Sequence, residues 1–240
     1  MAEVKAQVWR VDLAKGPSPL RLLPLLDAVE RKRAEGFARE TDRLSFLRAH
    51  AALRLLLAGI LKRPPAAIPI GVTEPDGKPR VESHALAGRP LDFSLSHSGR
   101  QALVGIAIGS GRIGVDLEAR GVPADFRALA QRNFTAEEQR WLFAAPAATQ
   151  GLRFLQCWTR KEAFLKAIGK GFSRNPSLFR CRIDSDGAVV GLAHDAGGRP
   201  QARWQTLPLD ESDVAACAVV DFDAAAIRIE RFDWKSAAQD

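Results

Sequence analysis

The segment Ile113-Gly114-Val115-Asp116-Leu117-Glu118 constrains this chain more than any other. Side chains of a strand alternate between faces, so Ile113, Val115 and Leu117 point one way while Asp116 and Glu118 share the other. The apolar face has to be buried against another layer. The opposite face carries two like charges one pleat apart, and they repel. Something positive has to hold them, and a hard cation with oxygen ligands is the natural candidate. A metal-dependent enzyme is therefore the first expectation.

The surrounding pattern alternates between helix and strand. Period-two alternation around Val8, Trp9 and Val11 predicts a strand from Val4 to Leu13, ending before Gly16-Pro17-Ser18-Pro19. Helical spacing takes over near Leu25. Thr41 or Asp42 is placed to cap a second helix, along which Phe46, His50, Leu53 and Leu57 form a stripe until Pro64-Pro65 stops it. A turn at Asp76-Gly77, a strand from Leu91 to Leu95 and an apolar run from Ala102 to Ile108 come next. Gly109-Ser110-Gly111 then reads as a hairpin turn joining that run to the strand of Asp116 and Glu118. Thr135-Ala136-Glu137-Glu138 is a capping box for a helix through Phe143. An amphipathic helix from Thr149 to Ile168, ended by Gly169 and Gly171, is followed by β segments at Phe179 to Ile183, Ala188 to Leu192, Arg203 to Leu207, Val214 to Val220 and Ile227 to Phe232. Asp186-Gly187 and Gly197-Gly198 supply turns among them.

Composition sets outer bounds. With 240 residues, 46% of them hydrophobic and 26% charged, the chain can build one sizeable domain or two small ones sharing a core. A net charge of +7 points to an anionic partner: a phosphorylated small molecule, an acidic protein or nucleic acid. Cys157, Cys181 and Cys217 are odd in number, with no CxxC pair, and read as reduced, buried thiols. No leader-like start and no bilayer-spanning apolar run is visible, so a soluble cytoplasmic protein without a membrane partner is expected.

Two further patches bear on chemistry. In Trp158-Thr159-Arg160-Lys161-Glu162-Ala163-Phe164-Leu165-Lys166, Glu162 and Lys166 stand at i, i+4 and share a helix face. Alone, such a pair is usually a surface contact worth about 0.3–0.5 kcal/mol; here Trp158, Phe164 and Leu165 anchor the helix, so its polar residues can be aimed. Gly77-Lys78-Pro79 and Phe93-Ser94-Leu95-Ser96-His97-Ser98 offer a flexible glycine, an amine, hydroxyls and an imidazole, donors suited to phosphate and nucleotide groups. Read blandly, they are a turn and a polar strand end. Gly109-Ser110-Gly111-Arg112-Ile113-Gly114 spells GxGxxG, but a strand follows it where a dinucleotide-binding fingerprint needs a helix. The basic run Arg31-Lys32-Arg33, with Arg39, Arg43 and Arg48 beyond, reads first as a solvated helix face.

In this order and spacing the patches resemble the 4′-phosphopantetheinyl transferase superfamily. Its pattern has Gly-Lys-Pro, Phe-Asn-x-Ser-His, Gly-(Ile/Val)-Asp-x-Glu and Trp-x-x-Lys-Glu-(Ser/Ala)-x-x-Lys, and the length looks like the larger, single-chain class. Ser94 stands where many members carry Asn. The resemblance implies an α+β fold of two similar α/β halves related by pseudo-twofold symmetry, each a small sheet packed with helices. Residues 1–111 would form the N-terminal half and 112–240 the C-terminal half, with the active site between them. It further implies transfer of the phosphopantetheine arm of coenzyme A to a serine of an apo acyl or peptidyl carrier protein, releasing 3′,5′-ADP. Asp116, Glu118 and Glu162 would hold Mg²⁺, with Mn²⁺ an acceptable substitute. Glu162 and Lys166 would be catalytic, as proton acceptor and as the cation at the leaving oxygen. Lys78, Pro79, Ser96, His97 and Lys166 would bind coenzyme A, joined by Arg33 or Arg43 at its 3′-phosphate. A chain with both halves of the site could act as a monomer.

Rivals are a coenzyme A or nucleotide-binding regulator without activity, a nucleic-acid-binding protein and a serine hydrolase. The carboxylates and Lys166 argue against the first. No zinc-finger or RNP pattern accompanies the basic charge, and there is no GxSxG elbow, so neither nucleic acid nor serine hydrolysis is expected.

Overall fold

The computed structural model describes residues 5–72, 77–82, 90–109, 111–169, 176–183, 189–193, 202–207, 214–220 and 227–234. Its elements are β1 (Lys5–Asp12), α1 (Pro19–Leu22), α2 (Ala28–Glu35), α3 (Glu40–Leu61), β2 (Ile70–Gly71), β3 (Arg80–Val81), β4 (Leu91–Ser98), β5 (Gln101–Ile108), β6 (Arg112–Glu118), α4 (Phe126–Asn133), α5 (Ala136–Phe143), α6 (Ala147–Ile168), β7 (Arg180–Ile183), β8 (Val189–Ala193), β9 (Ala202–Leu207), β10 (Val214–Val220) and β11 (Ile227–Arg231). Helices and mixed sheets make the fold α+β. The turns expected at residues 186–187 and 197–198 lie outside the described residues, as do Asp76 and Gly171.

Two sheets organise the molecule, in the orders β11-β1-β5-β4 and β6-β10-β9. One face of the first sheet, with Trp9, Val11, Phe93, Val104 and Ile106, packs on Ala49, Ala52, Leu53 and Leu57 of α3. Its other face, with Ala6, Val8, Leu103 and Ala107, meets Ile113, Val115 and Leu117 of β6. A sheet covered on both sides explains why Ala102 to Ile108 reads as an unbroken apolar run rather than an alternation.

The hairpin expected between β5 and β6 does not form. β6 instead pairs antiparallel with β10, Val115 opposite Cys217, and crosses the inner face of β5. Gly105 makes room: a Cβ there would lie 2.8 Å from Val115 Cγ1 and 2.9 Å from Ile113 Cδ1. The edge of β6 turned towards β4 is satisfied by side chains in place of a ladder. Asp92 Oδ2 accepts from Ile113 N at 2.8 Å, Ser94 Oγ from Val115 N at 3.1 Å and Ser98 Oγ from Ala119 N at 3.1 Å. Alternate small polar residues of β4 therefore stitch the two sheets together.

Helix boundaries follow local chemistry. The Thr135 capping box is present, its Oγ1 accepting from Glu138 N and Glu138 Oε2 accepting from Thr135 N. A second box, Asp27 with Glu30, starts α2. Neither Thr41 nor Asp42 caps α3, which begins slightly earlier, directly after Arg39, without a side-chain cap. α6 starts at Ala147 after Pro146 and stops at Gly169, whose φ of 71° is a left-handed conformation that glycine adopts at low cost. α3 is long and apolar enough to cross a membrane by composition alone, yet here its apolar stripe lies on the first sheet.

α6 covers the second sheet closely. A Cβ on Gly114 would fall 1.8 Å from Ala163 O and 2.5 Å from Ala167 N, so only glycine at this point of β6 lets the helix backbone approach. The outer side of α6 builds a third core with α4 and α5, in which Phe134, Leu142, Phe154 and Cys157 are buried. Cys157 is not in a disulfide. The side chains of Cys181 and Cys217 lie outside the described residues. β6 opens the second sheet, while β11 returns from the end of the chain to pair with β1 in the first.

Candidate active site

Because Gly114 faces α6, so do the residues that alternate with it, Asp116 and Glu118. The helix presents Glu162 and Lys166 to them. Lys166 Nζ lies 2.6 Å from Asp116 Oδ1 and donates to Ser96 Oγ at 3.0 Å; Ser96 Oγ in turn donates to Asp116 Oδ1 at 3.0 Å. Glu118 accepts a long hydrogen bond from Ser98 Oγ at 3.4 Å. One buried oxygen of each of two carboxylates, Asp116 Oδ2 and Glu162 Oε1, has no hydrogen-bond partner among the described residues.

The electrostatics match this crowding. Burial raises the Glu162 carboxyl to about 7, the charges of Asp116 and Glu118 add to the rise, and Lys166 opposes it. Glu118 is raised too, first by burial and then by Asp116. Three coupled carboxylates share one ammonium, and two of their oxygens are unpaired. This donor set fits a hard cation, although among the described residues no group of three His, Cys, Asp or Glu side chains is closed into a ready-made cage.

α6 is held rigidly enough to aim these groups. Lys161, next to Glu162, is 1% exposed. Its Nζ is 2.8 Å from Glu138 Oε2 and donates to Pro176 O at 2.8 Å and Phe179 O at 2.6 Å, while the rings of Phe134 and Phe179 lie within cation–π range. The lysine of the sequence motif is thus an anchor of the helix.

A pocket of about 760 Å³ opens beside the cluster, walled by α2, α3, β2, β4 and the end of α6. Arg33, Lys78, Pro79, Ser96, His97 and Lys166, all singled out from the sequence, line it. Two of the three Lys78 donors are engaged in the seam between the sheets, with Asp92 Oδ2 at 2.5 Å and Ile113 O at 2.7 Å. Arg43 does not line the pocket; its guanidinium turns to Glu40 one helical turn away, at 3.2 Å. Desolvation first, and then His50, Lys166, Arg120 and Arg33, hold the His97 imidazole below its ordinary pKa.

One part of the wall was not singled out from the sequence. Asp27, Glu30 and His50 line the pocket too. Behind them Arg54, fully buried, engages Asp27 and Glu30 and donates to Pro65 O at 2.7 Å and Ile68 O at 3.0 Å. The available signals were the Asp27-x-x-Glu30 capping box and the i, i+4 pair His50 and Arg54 inside an apolar stripe, where charged residues need partners.

Comparison with known proteins bears on this geometry. Residues 112–220 match the 4′-phosphopantetheinyl transferase superfamily. The Synechocystis sp. protein slr0495, provisionally named a 4′-phosphopantetheinyl transferase, is 36% identical over 207 residues, spanning 85% of this chain and 80% of that protein. The chain belongs to the 4′-phosphopantetheinyl transferase superfamily. Two more superfamily relatives extend the likeness. The 4′-phosphopantetheinyl transferase HetI of Nostoc sp. is 31% identical over 91% of this chain and 89% of its own length. The 4′-phosphopantetheinyl transferase psf-1 of Bacillus pumilus is 35% identical over 71% of this chain and 69% of its own. The superfamily match over 112–220 takes in β6 and α6, the two elements that bring Asp116, Glu118, Glu162 and Lys166 together.

Proposed function

We propose that this superfamily member is a transferase that moves the 4′-phosphopantetheine arm of coenzyme A to a serine hydroxyl of an apo acyl or peptidyl carrier protein, releasing 3′,5′-ADP. The observation that carries this reading is the cluster of Asp116, Glu118, Glu162 and Lys166 at one end of a pocket large enough for a nucleotide. The serine oxygen bonds to the β-phosphorus of coenzyme A as its proton passes to Glu162, which shares its helix face with Lys166 beside the pocket. The bond from that phosphorus to the bridging oxygen breaks. Lys166 neutralises the charge that collects on the departing 3′,5′-ADP.

Asp116, Glu118 and Glu162 would hold Mg²⁺ or Mn²⁺, which supplies Lewis-acid polarisation and charge neutralisation at the diphosphate. Ser96 keeps Asp116 and Lys166 in register. Arg33, Lys78, Pro79 and His97 form the nucleotide side of the pocket, with Lys78 working chiefly through the wall it fixes. α3 over the first sheet and α6 over the second support two similar halves, residues 1–111 and 112–240, related by a pseudo-twofold axis with the pocket between them. One chain supplies the whole pocket, in keeping with a cytoplasmic monomer.

Asp116→Ala and Glu162→Ala test the reading. Each is expected to abolish transfer, read as the mass gain of the carrier, while circular dichroism stays native; transfer at the unmodified rate in either variant would refute it.

A further inference from the structure

The pocket wall opposite α6 contains an imidazole–carboxylate pair with its own buried support. His50 Nδ1 lies 2.8 Å from Glu30 Oε1. Glu30 is 8% exposed, and its second oxygen engages Arg54, which has no exposed surface. Arg54 is fixed in turn by Asp27 and two backbone carbonyls. The chain of contacts therefore runs from buried backbone, through a guanidinium and a carboxylate, to one ring nitrogen of a residue that lines the pocket.

Such an arrangement orients the ring. With the carboxylate as acceptor, Nδ1 carries a proton, and Nε2 is turned away from Glu30, where it becomes a donor once an anion beside it holds a second proton on the ring. Phe46, 1% exposed, holds the position from the side: its ring centroid is 4.0 Å from that of His50, and the Arg33 guanidinium sits 5.4 Å from the same ring. Arg33 and His50 thus come from different helices, rest on one buried aromatic and line the same pocket. His97 lines it as well and feels both charges. The two carboxylates on this wall, Asp27 and Glu30, are engaged by Arg54 and His50, which leaves Arg33 and the outer ring nitrogen of His50 to meet a ligand, and a phosphate oxygen suits both the forked guanidinium and a single imidazole N–H donor.

We propose that His50, oriented by Glu30 and Arg54, is a phosphate-binding residue of the pocket, donating from Nε2 to a phosphate group of the nucleotide half of the ligand. This rests on the coenzyme A reading given above. Glu30 and Arg54 are positioning residues, acting on the ligand only through His50.

The experiment is a calorimetric titration of the full chain and of His50→Ala and His50→Gln with coenzyme A, dephospho-coenzyme A and adenosine, alongside kcat and KM. Loss of a charge-assisted hydrogen bond is expected to weaken coenzyme A binding by about tenfold or more in His50→Ala. Adenosine binding should be unchanged and kcat at saturating coenzyme A within about twofold. His50→Gln, which keeps a donor, should recover part of the loss. A deficit for coenzyme A alone assigns the contact to the 3′-phosphate; an equal deficit for dephospho-coenzyme A assigns it to the diphosphate. Unchanged coenzyme A affinity, or equal weakening of all three ligands including adenosine, would overturn the role of His50. Failure of the unmodified chain to bind coenzyme A would overturn the coenzyme A reading and this inference with it.

Discussion

Replacing Gly114 by alanine tests how the fold delivers the site. The added methyl would lie 1.8 Å from Ala163 O and 2.5 Å from Ala167 N. Ordinary contact begins near 3.4 Å, so strand and helix must separate by about 1.6 Å at this point. Both obstructing atoms belong to the α6 backbone, so no rotamer change relieves the clash. Overpacking costs about 1–3 kcal/mol when side chains can yield, and a backbone clash belongs at the top of that range. About 3 kcal/mol corresponds to a melting temperature lower by about 6–12 °C in a domain of this size. The displacement also moves Glu162 and Lys166 away from Asp116, and a misplacement of about 1 Å can cost about a hundredfold in rate. The assays are urea unfolding and transfer kinetics of Gly114→Ala beside Gly105→Ala, whose methyl would have side-chain atoms of Ile113 and Val115 as its nearest neighbours. Gly105→Ala should be clearly milder in both. Native stability and turnover in Gly114→Ala would refute the claim that close approach of α6 to β6 builds the site.

Further expectations concern charge and the seam. Lys161→Ala takes the buried ammonium away from Glu138 and leaves Pro176 O and Phe179 O without their donor, and should destabilise the chain by about 3–5 kcal/mol in urea unfolding; combining it with Glu138→Gln should recover part of the loss. Ser94→Ala removes the acceptor for Val115 N and should cost about 1–3 kcal/mol, again read by urea unfolding, and a variant of native stability would show that the seam contributes little. In metal-free buffer, folded Glu162 keeps its proton up to about pH 7 whereas the unfolded chain releases it near 4.5. Its contribution to stability is therefore complete below 4.5 and is lost as pH rises through about 7. Unfolding free energies across that window should decline more steeply in the unmodified chain than in Glu162→Gln, and equal slopes would contradict the raised pKa.

Local patterns were legible in the sequence where the chemistry is local. Alternation alone divides Ile113, Val115 and Leu117 from Asp116 and Glu118, and those two faces meet the first sheet and α6 respectively. Thr135 with Glu138 marks the start of α5, and Gly169 marks the end of α6. The order of strands was not legible. β6 leaves β5 because its partner β10 lies about a hundred residues downstream, and a glycine turn between two β segments reads the same whether the strands pair or part. Burial of charge was equally hidden. Lys78 looks like a free pocket donor until Asp92 and Ile113 are seen to claim it, and the apolar stripe around Arg54 calls for a partner without saying that Asp27 and Glu30 supply it. Arg43 and Arg33 cannot be told apart by spacing; only the packing of α2 against α3 turns one to the pocket and leaves the other with Glu40.

The most direct measurement combines intact-mass spectrometry of an apo carrier protein with quantitation of 3′,5′-ADP, after incubation with the purified chain, coenzyme A and Mg²⁺. One phosphopantetheine added to the carrier serine for each 3′,5′-ADP released, abolished by chelation and by Glu162→Ala, is the expected result. Binding of coenzyme A with no mass gain on any of several carrier types would contradict the transferase reading and leave a nucleotide-binding protein in its place.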